Sequence, residues 1–241
     1  MAEAVPEDGT YEPETIRVFN QVLAEGDQVI VCGAHRGHFV SVCSELVGNT
    51  GKVFGFEPEH ENFSLLSKKC ADLKNVELFN FALGDRNATA KLYINSDNDG
   101  GHALWNCADH PMNTKTKENP KIEPVEVKTI DGVFEGRDMS NLRLLMLDAE
   151  GSEHAIIKGG INTIVDNDVP FVICEINDLA LQKCLSSQMS LRAYMSLYGF
   201  TGYAMSADRV VDLESGEAQA YIPGTKQKVV FNILFSRVGK V

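Results

Sequence analysis

With 241 residues, 44% of them hydrophobic and 23% charged, the chain is long enough to bury a full core and is balanced like a globular protein, not a disordered one. A formal net charge of -12 with no basic cluster excludes a partner held through a phosphate backbone, so no nucleic acid is expected. The first residues are acidic and lack a basic-then-apolar order, and no apolar run approaches a membrane span, so the chain reads as soluble and cytoplasmic with no membrane partner.

Residues 1–12, rich in Glu, Asp, Pro and Gly, read as a flexible arm, and residues 13–241 as one domain. Ile16, Phe19 and Leu23 mark an apolar helix face that ends at Gly26-Asp27. The apolar run Val29-Ile30-Val31-Cys32 then breaks into Gly33-Ala34-His35-Arg36-Gly37, and Phe39, Val40, Cys43, Leu46 and Val47 follow at helical spacing. A second run, Val53-Phe54-Gly55-Phe56, ends on Glu57-Pro58. This is strand, glycine turn, helix, strand and acid. The glycines admit a ligand close to the backbone, and the acid is placed to accept hydrogen bonds from ribose hydroxyls. A dinucleotide fold would show G-x-G-x-x-G to seat a pyrophosphate; here the pattern is G-x-x-x-G, which suits an adenosine ligand without phosphate, S-adenosylmethionine.

Phe63, Leu66 and Cys70 stripe the next helix. Residues 75–81 read as a third strand turning at Ala82-Leu83-Gly84-Asp85, and Lys91-Leu92-Tyr93-Ile94 as a short added one. Residues 95–120 lack a pattern and carry the only tryptophan, Trp105; a lid and a mobile surface insertion are both open readings. Residues 125–130 alternate as a strand, and residues 131–134 begin a turn or short helix. Residues 142–147 form a buried strand that ends in Asp148-Ala149-Glu150-Gly151, where Ser152 is placed to cap a helix with Ile156, Ile157, Ile161 and Ile164 on its core face. Residues 171–176 make another buried strand, carrying Glu175. Leu191, Tyr194, Met195 and Tyr198 mark the last helix, and residues 200–205 and 229–235 two closing strands joined across residues 216–224. Alternating strands and helices define an α/β fold with a mostly parallel sheet covered on both faces, and the closing strands an antiparallel hairpin at one edge.

The six cysteines form no C-x-x-C pair and read as reduced, buried thiols. No metal is expected. Asp148, Glu150 and Glu175 offer oxygen ligands for a hard cation, and His102, Cys107, Asp109 and His110 have a spacing that fits no common zinc site. His60 and His154 read as solvated helix residues.

Taken in order, several segments resemble the FkbM family of S-adenosylmethionine-dependent methyltransferases across roughly residues 26 to 235. They are Gly26-Asp27, the turn from Gly33 to Gly37, Phe56-Glu57-Pro58, and Asn80-Phe81-Ala82-Leu83-Gly84-Asp85. Asp148-Ala149-Glu150-Gly151-Ser152-Glu153, Lys158-Gly159 and Phe231-Asn232-Ile233-Leu234-Phe235 complete the set. The resemblance implies a Rossmann-like class I methyltransferase fold and methyl transfer to a hydroxyl of a sugar, polyketide or similar small metabolite. It also implies that Gly33, Ala34, His35 and Gly37 line the methionine part of the cofactor. Glu57 would hold the ribose, Pro58 would lie near the adenine, and the segment from Asn80 to Leu83, with Asn80, Ala82 and Leu83 foremost, would form the adenine edge. The family's usual Asp-Val-Gly-Ala-Asn is here Val31-Cys32-Gly33-Ala34-His35, so Asp148 or Glu150 is left to take the cofactor's ammonium group.

Ligands of open α/β sheets bind at the carboxyl ends of the strands, which makes Asp148, Glu150 and Glu175 the candidate catalytic acids, with His102 or His38 reachable if a loop folds over. Asp148 and Glu150 share a face if strand geometry persists through them; otherwise both cap the following helix. The expected function is O-methylation of a small-molecule or glycan hydroxyl. The alternative is a catalytically impaired cofactor-binding or interaction module of the same fold, and a nicotinamide oxidoreductase is disfavoured by the missing third glycine.

Overall fold

The computed structural model describes residues 11–206, 208–215 and 230–241; the expected arm over residues 1–10 and the connection over residues 216–224 lie outside the described residues. Helix α1 (Pro13–Val22) leads into β1 (Gln28–Cys32), α2 (His38–Val47), β2 (Lys52–Phe56), α3 (His60–Lys69) and β3 (Val76–Phe79). Next come β4 (Ala82–Leu83), β5 (Ala88–Ile94), α4 (Thr114–Glu118), β6 (Lys121–Lys128) and α5 (Ile130–Phe134). The second half runs β7 (Leu142–Leu147), α6 (Glu153–Gly159), α7 (Ile161–Asp166), β8 (Phe171–Asn177), α8 (Asp178–Lys183) and α9 (Gln188–Leu197). It closes with β9 (Thr201–Met205), β10 (Val210–Asp212) and β11 (Val230–Ser236).

The main sheet has the order β10-β9-β11-β8-β7-β1-β2-β3. Strands β3, β2, β1, β7 and β8 pair in parallel, while β11 runs antiparallel between β8 and β9, and β10 is antiparallel to β9 at the edge. The closing strands therefore pair antiparallel as expected, with β11 inserted inward of β9. Alternation along each strand splits the core in two. Val29, Val31, Leu144, Met146, Phe171, Ile173 and Leu234 pack under α1, α2 and α3, whose Val18, Phe19, Val40, Cys43 and Leu66 are buried against them. Ile30, Leu145, Val172, Cys174 and Ile233 face α5 to α9 through Phe134, Ile156, Ile164, Leu181 and Leu191.

Several elements differ from the sequence reading. Ala82 and Leu83 are not only a turn: they pair in parallel with β6 and join β5 in a separate three-stranded sheet. The expected single helix after Ser152 is two, α6 and α7, hinged at Gly160. Ser152 makes no side-chain cap; the Glu153 carboxylate instead accepts from Ala149 N at 2.9 Å and Gly151 N at 3.1 Å. Charge makes it the stronger acceptor for these two amides. Tyr11 and Glu12, read as part of the arm, are held: the Tyr11 ring meets His38 edge-on at 5.5 Å, and Glu12 accepts from Thr15 Oγ1 at 2.8 Å. His154 is buried, with its Nδ1 2.7 Å from Ser186 Oγ, not solvated. All six cysteines are free, five of them buried.

Residues 95–120 carry local order of their own. Tyr93 and Ala103 form an antiparallel bridge, Cys107–Asp109 is a turn of 3-10 helix, and the Asp97 carboxylate accepts from the amides of Lys115 and Thr116 at the start of α4. Asn95 Oδ1 folds the backbone between them by accepting from the amides of Asp97 and Asn98.

Gly159, at the end of α6, tests how tightly this second sheet is docked. A Cβ there would overlap the Gly84 carbonyl oxygen, which belongs to backbone and cannot step aside. Gly159→Ala is expected to cost at least about 2 kcal/mol in urea unfolding; a change within about 0.5 kcal/mol would show that α6 and the Gly84 turn are not in fixed contact.

Candidate active site

Strand order reverses at β1, which has β2 on one side and β7 on the other, so a crevice opens at the carboxyl ends of these strands. The turn after β1 forms its floor. Gly33 and Gly37 have φ of +77° and +86°, and a Cβ on Gly33 would overlap the Asp148 carbonyl oxygen, so only glycine lets β1 and β7 diverge here. Most of the turn's amides are already used: Gly33 N and Ala34 N donate to Phe56 O at 3.0 and 2.9 Å, and Gly37 N to Ala34 O at 2.8 Å. His35 N donates to Glu57 Oε2 at 2.8 Å. A turn that spends its amides internally is no nest for a pyrophosphate, which argues against a dinucleotide.

Glu57 is therefore beside the glycine turn, as the sequence required. Its other oxygen, Oε1, accepts from Glu59 N at 2.9 Å, and burial lifts the group's pKa to about 7. Each carboxylate oxygen keeps a lone pair for a further donor such as a ribose hydroxyl. Asn80 Nδ2 donates to Glu57 O and Pro58 O, at 2.8 and 3.1 Å, so it clamps the loop carrying both. Ala82 and Leu83 do not present side chains to this crevice: both are buried in core packing. Phe81, within the same expected edge, is half-buried, contacts the Phe56 and Phe79 rings and takes Lys128 Nζ over its face at 4.5 Å.

Across the crevice stand the acids. Asp148 follows β7, Glu175 lies in β8, and their carboxyl groups lie within hydrogen-bonding reach of each other. Burial, then the neighbouring negative charges, pushes both well above the usual carboxylate range, so each favours its protonated form more than an exposed acid does. Glu150 joins them differently from the strand-alternation expectation. Strand β7 ends at Leu147, and Glu150 sits in a turn with φ of +47°. Burial also raises Glu150 and Glu153 to about 7. Among the described residues no Lys or Arg lies within ion-pair distance of Asp148, Glu150, Glu153 or Glu175. Among the same residues no group of three His, Cys, Asp or Glu is arranged to hold a metal ion. The four loop residues weighed for zinc have separate partners: His102 with Asn95, Cys107 with Tyr93, Asp109 with Lys183 and His110 with Met112.

Residues 95–120 cross the crevice. At one end Asp99 pairs with Arg36, stands 3.7 Å from His35 Nε2, and accepts from Asn62 Nδ2 through its carbonyl at 2.9 Å. At the other, Trp105 Nε1 donates to Glu150 O at 2.9 Å.

An adenosine with a positively charged tail matches this donor set: a carboxylate at the end of β2, a turn whose amides are largely spent internally, and buried acids that no cation among the described residues pairs with. The sheet order, parallel strands closed by an antiparallel edge, is that of the class I methyltransferase fold. A model of the methyltransferase FkbM domain matches residues 32–201, and the chain belongs to that family. It is 25% identical over 153 residues to the 2-O-methyltransferase NoeI of Sinorhizobium fredii, an alignment covering 61% of this chain and 60% of that protein. The chain thus spans about three fifths of the length of that curated relative. Among solved structures it resembles a methyltransferase FkbM from Methylobacillus flagellatus, with a TM-score of 0.54 and 12% identity, over 92% of this chain and 50% of that one. A Clostridium thermocellum chain described as a candidate rRNA methylase superposes with a TM-score of 0.50 and 11% identity over 95% and 96% of the two chains. At these identities both structures speak for the fold alone.

The acids give stability a definite slope with pH. An acid whose folded pKa lies above its unfolded value favours folding fully below the unfolded value, and that contribution fades as pH rises through the folded one. The histidines with depressed pKa values slope the other way, but above about pH 7 they are largely neutral in both states. The ligand-free protein should therefore lose Tm between about pH 7 and 8, and Glu150→Gln should flatten the decline. A flat or rising Tm across that window in differential scanning calorimetry would contradict the raised acids.

Proposed function

We propose that the methyl acceptor is a hydroxyl oxygen of a sugar or other small metabolite, and that Asp148 and Glu175 handle its proton. The carrying observation is the pair of adjoining carboxyls at the ends of neighbouring parallel strands, on the same sheet face, beside the glycine turn. The cofactor, when bound, supplies the activated methyl group. Glu57 would take its ribose, Pro58 and Phe81 would flank its adenine, and residues 33–37 with Asp148 would take the methionine part.

An alcohol is a poor nucleophile while protonated, so a base in hydrogen-bond reach accelerates transfer. A carboxyl pair sharing one proton keeps one oxygen able to accept the hydroxyl proton, while its partner's bound proton steadies the resulting charge. Half-burial and the strap of residues 95–120 limit water near the pair. Trp105, fixed over the Glu150 turn, supports a carbohydrate acceptor, because an indole face packs against the C–H face of a pyranose. The acidic surface argues against a nucleic-acid acceptor, and the free cysteines support a reducing compartment such as the cytoplasm.

The impaired-module reading draws on Val31, which is 1% exposed in the apolar core where the family usually has an acid. Calorimetric titration separates the possibilities. S-adenosylhomocysteine should bind and NADH should not, and Glu57→Ala should weaken S-adenosylhomocysteine binding by about tenfold or more. Glu175→Gln should lower kcat for a methylated glycoside by about 10²-fold or more with cofactor binding retained. Tight S-adenosylhomocysteine binding without transfer to any hydroxyl in a glycoside and alcohol panel would favour the impaired module; NADH binding would overturn the cofactor assignment.

A further inference from the structure

The acid pair has a neighbour outside the segment matched by the family model. Asn232, in β11, pairs directly with Glu175 in β8, so the two side chains rise from the same face of the sheet on adjacent strands. Asp148, Glu175 and Asn232 therefore form a row across β7, β8 and β11 at the carboxyl edge of the parallel strands. Asn232 is only 8% exposed. Its Nδ2 donates to Glu12 Oε2 at 2.8 Å and to Thr15 Oγ1 at 3.0 Å, contacts made across 220 and 217 residues of sequence.

These contacts fix which way the amide points. The Glu12 carboxylate, itself accepting from Thr15 Oγ1, can only receive a hydrogen bond, so the nitrogen of Asn232 must face it. The carbonyl oxygen Oδ1 is then directed away from α1, and it is buried with no hydrogen-bond partner. An unpaired buried acceptor is unfavourable and needs an explanation at the site where it occurs. Here it adjoins the two carboxyls proposed to handle the acceptor's proton.

We propose that Asn232 Oδ1, oriented by Glu12 and Thr15, receives a hydrogen bond from a second hydroxyl of the methyl acceptor, making Asn232 a specificity-determining residue for substrates with hydroxyls on adjacent carbons. This rests on the hydroxyl-acceptor reading above. Residues directly opposite on neighbouring strands have Cβ atoms about 5 Å apart, so their polar ends can each receive one O–H of a vicinal diol. The hydroxyl nearer Asp148 and Glu175 is the one methylated; the one at Asn232 orients the ring. The same pairing explains why α1 begins with Glu12 in a left-handed conformation, φ +46°: the turn directs its carboxylate inward to Asn232 and not outward to solvent. A site built to hydrogen-bond a hydroxyl also rejects analogues that lack it, since the carbonyl is then left unpaired.

The test measures methyl transfer to methyl hexopyranosides and to their counterparts with single hydroxyls replaced in turn by hydrogen. The wild-type chain should prefer the intact glycoside over the counterpart lacking the hydroxyl next to the methylated one by about tenfold or more in kcat/KM. Asn232→Ala should erase most of that preference, chiefly through a raised KM for the intact glycoside. The double variant Glu12→Gln/Asn232→Asp exchanges donor and acceptor across the same contact and keeps an oxygen directed away from α1, so it should regain the preference. An unchanged preference in Asn232→Ala, or an equal fall on both glycosides, makes Asn232 a structural tie and overturns the proposal alone. Binding of S-adenosylhomocysteine with no transfer by the wild-type chain to any glycoside overturns the hydroxyl-acceptor reading and this inference with it.

Discussion

A single hydrogen bond, from the His35 amide to the Glu57 carboxylate, ties the end of β2 to the turn after β1, and the site is laid out around that tie. It places a carboxylate against a glycine turn without any side chain between them, because Gly33 has none to offer and His35 points its own toward Asp99. The second Glu57 oxygen holds the amide of Glu59, whose carboxylate in turn caps α3 by accepting from Glu61 N and Asn62 N. One acid thus sets the direction of two strand ends and a helix start. Asn80 locks the same loop from the far side.

The second organising feature is negative charge that no Lys or Arg among the described residues pairs with. Asp148, Glu150, Glu153 and Glu175 come together at the ends of β7 and β8, where burial raises the pKa of each. Folding tolerates this because protons are retained and because backbone amides solvate Glu153. A ligand bearing a sulfonium and an ammonium would relieve the repulsion that the chain leaves standing, so cofactor recognition and acid placement are one electrostatic problem. The net charge of -12 adds a general attraction for cations and a general repulsion for polyanions.

Much of this was legible in the sequence, for reasons of range. The strand, glycine turn, helix, strand and acid from residue 28 to residue 57 are neighbours in the chain, and periodicity with two glycines fixes their relation. The acids at Asp148 and Glu175 follow from the rule that strand ends carry ligands. What could not be read depends on distant contacts or on competition between similar groups. Asn232 stands in a segment of the family pattern, but nothing in the sequence gives it a partner until β11 is seen inserted beside β8, and Glu12 looks like part of a loose arm until it meets Asn232. Ser152 has the composition of a cap, but Glu153 reaches the same amides with a charge. Ala82 and Leu83 match the family pattern by position, yet β6 recruits them into a second sheet and buries their side chains. The order within residues 95–120 rests on Asn95 and Asp97 folding the backbone onto themselves, which produces no hydrophobic period to detect.

The account stands or falls on where the nucleoside lies, and a crystal structure of the chain with S-adenosylhomocysteine measures that directly. The account predicts both ribose hydroxyls on the Glu57 carboxylate and the thioether sulfur facing the Asp148 and Glu175 pair. Density for the ribose away from Glu57, or a sulfur turned from the two acids, would contradict it.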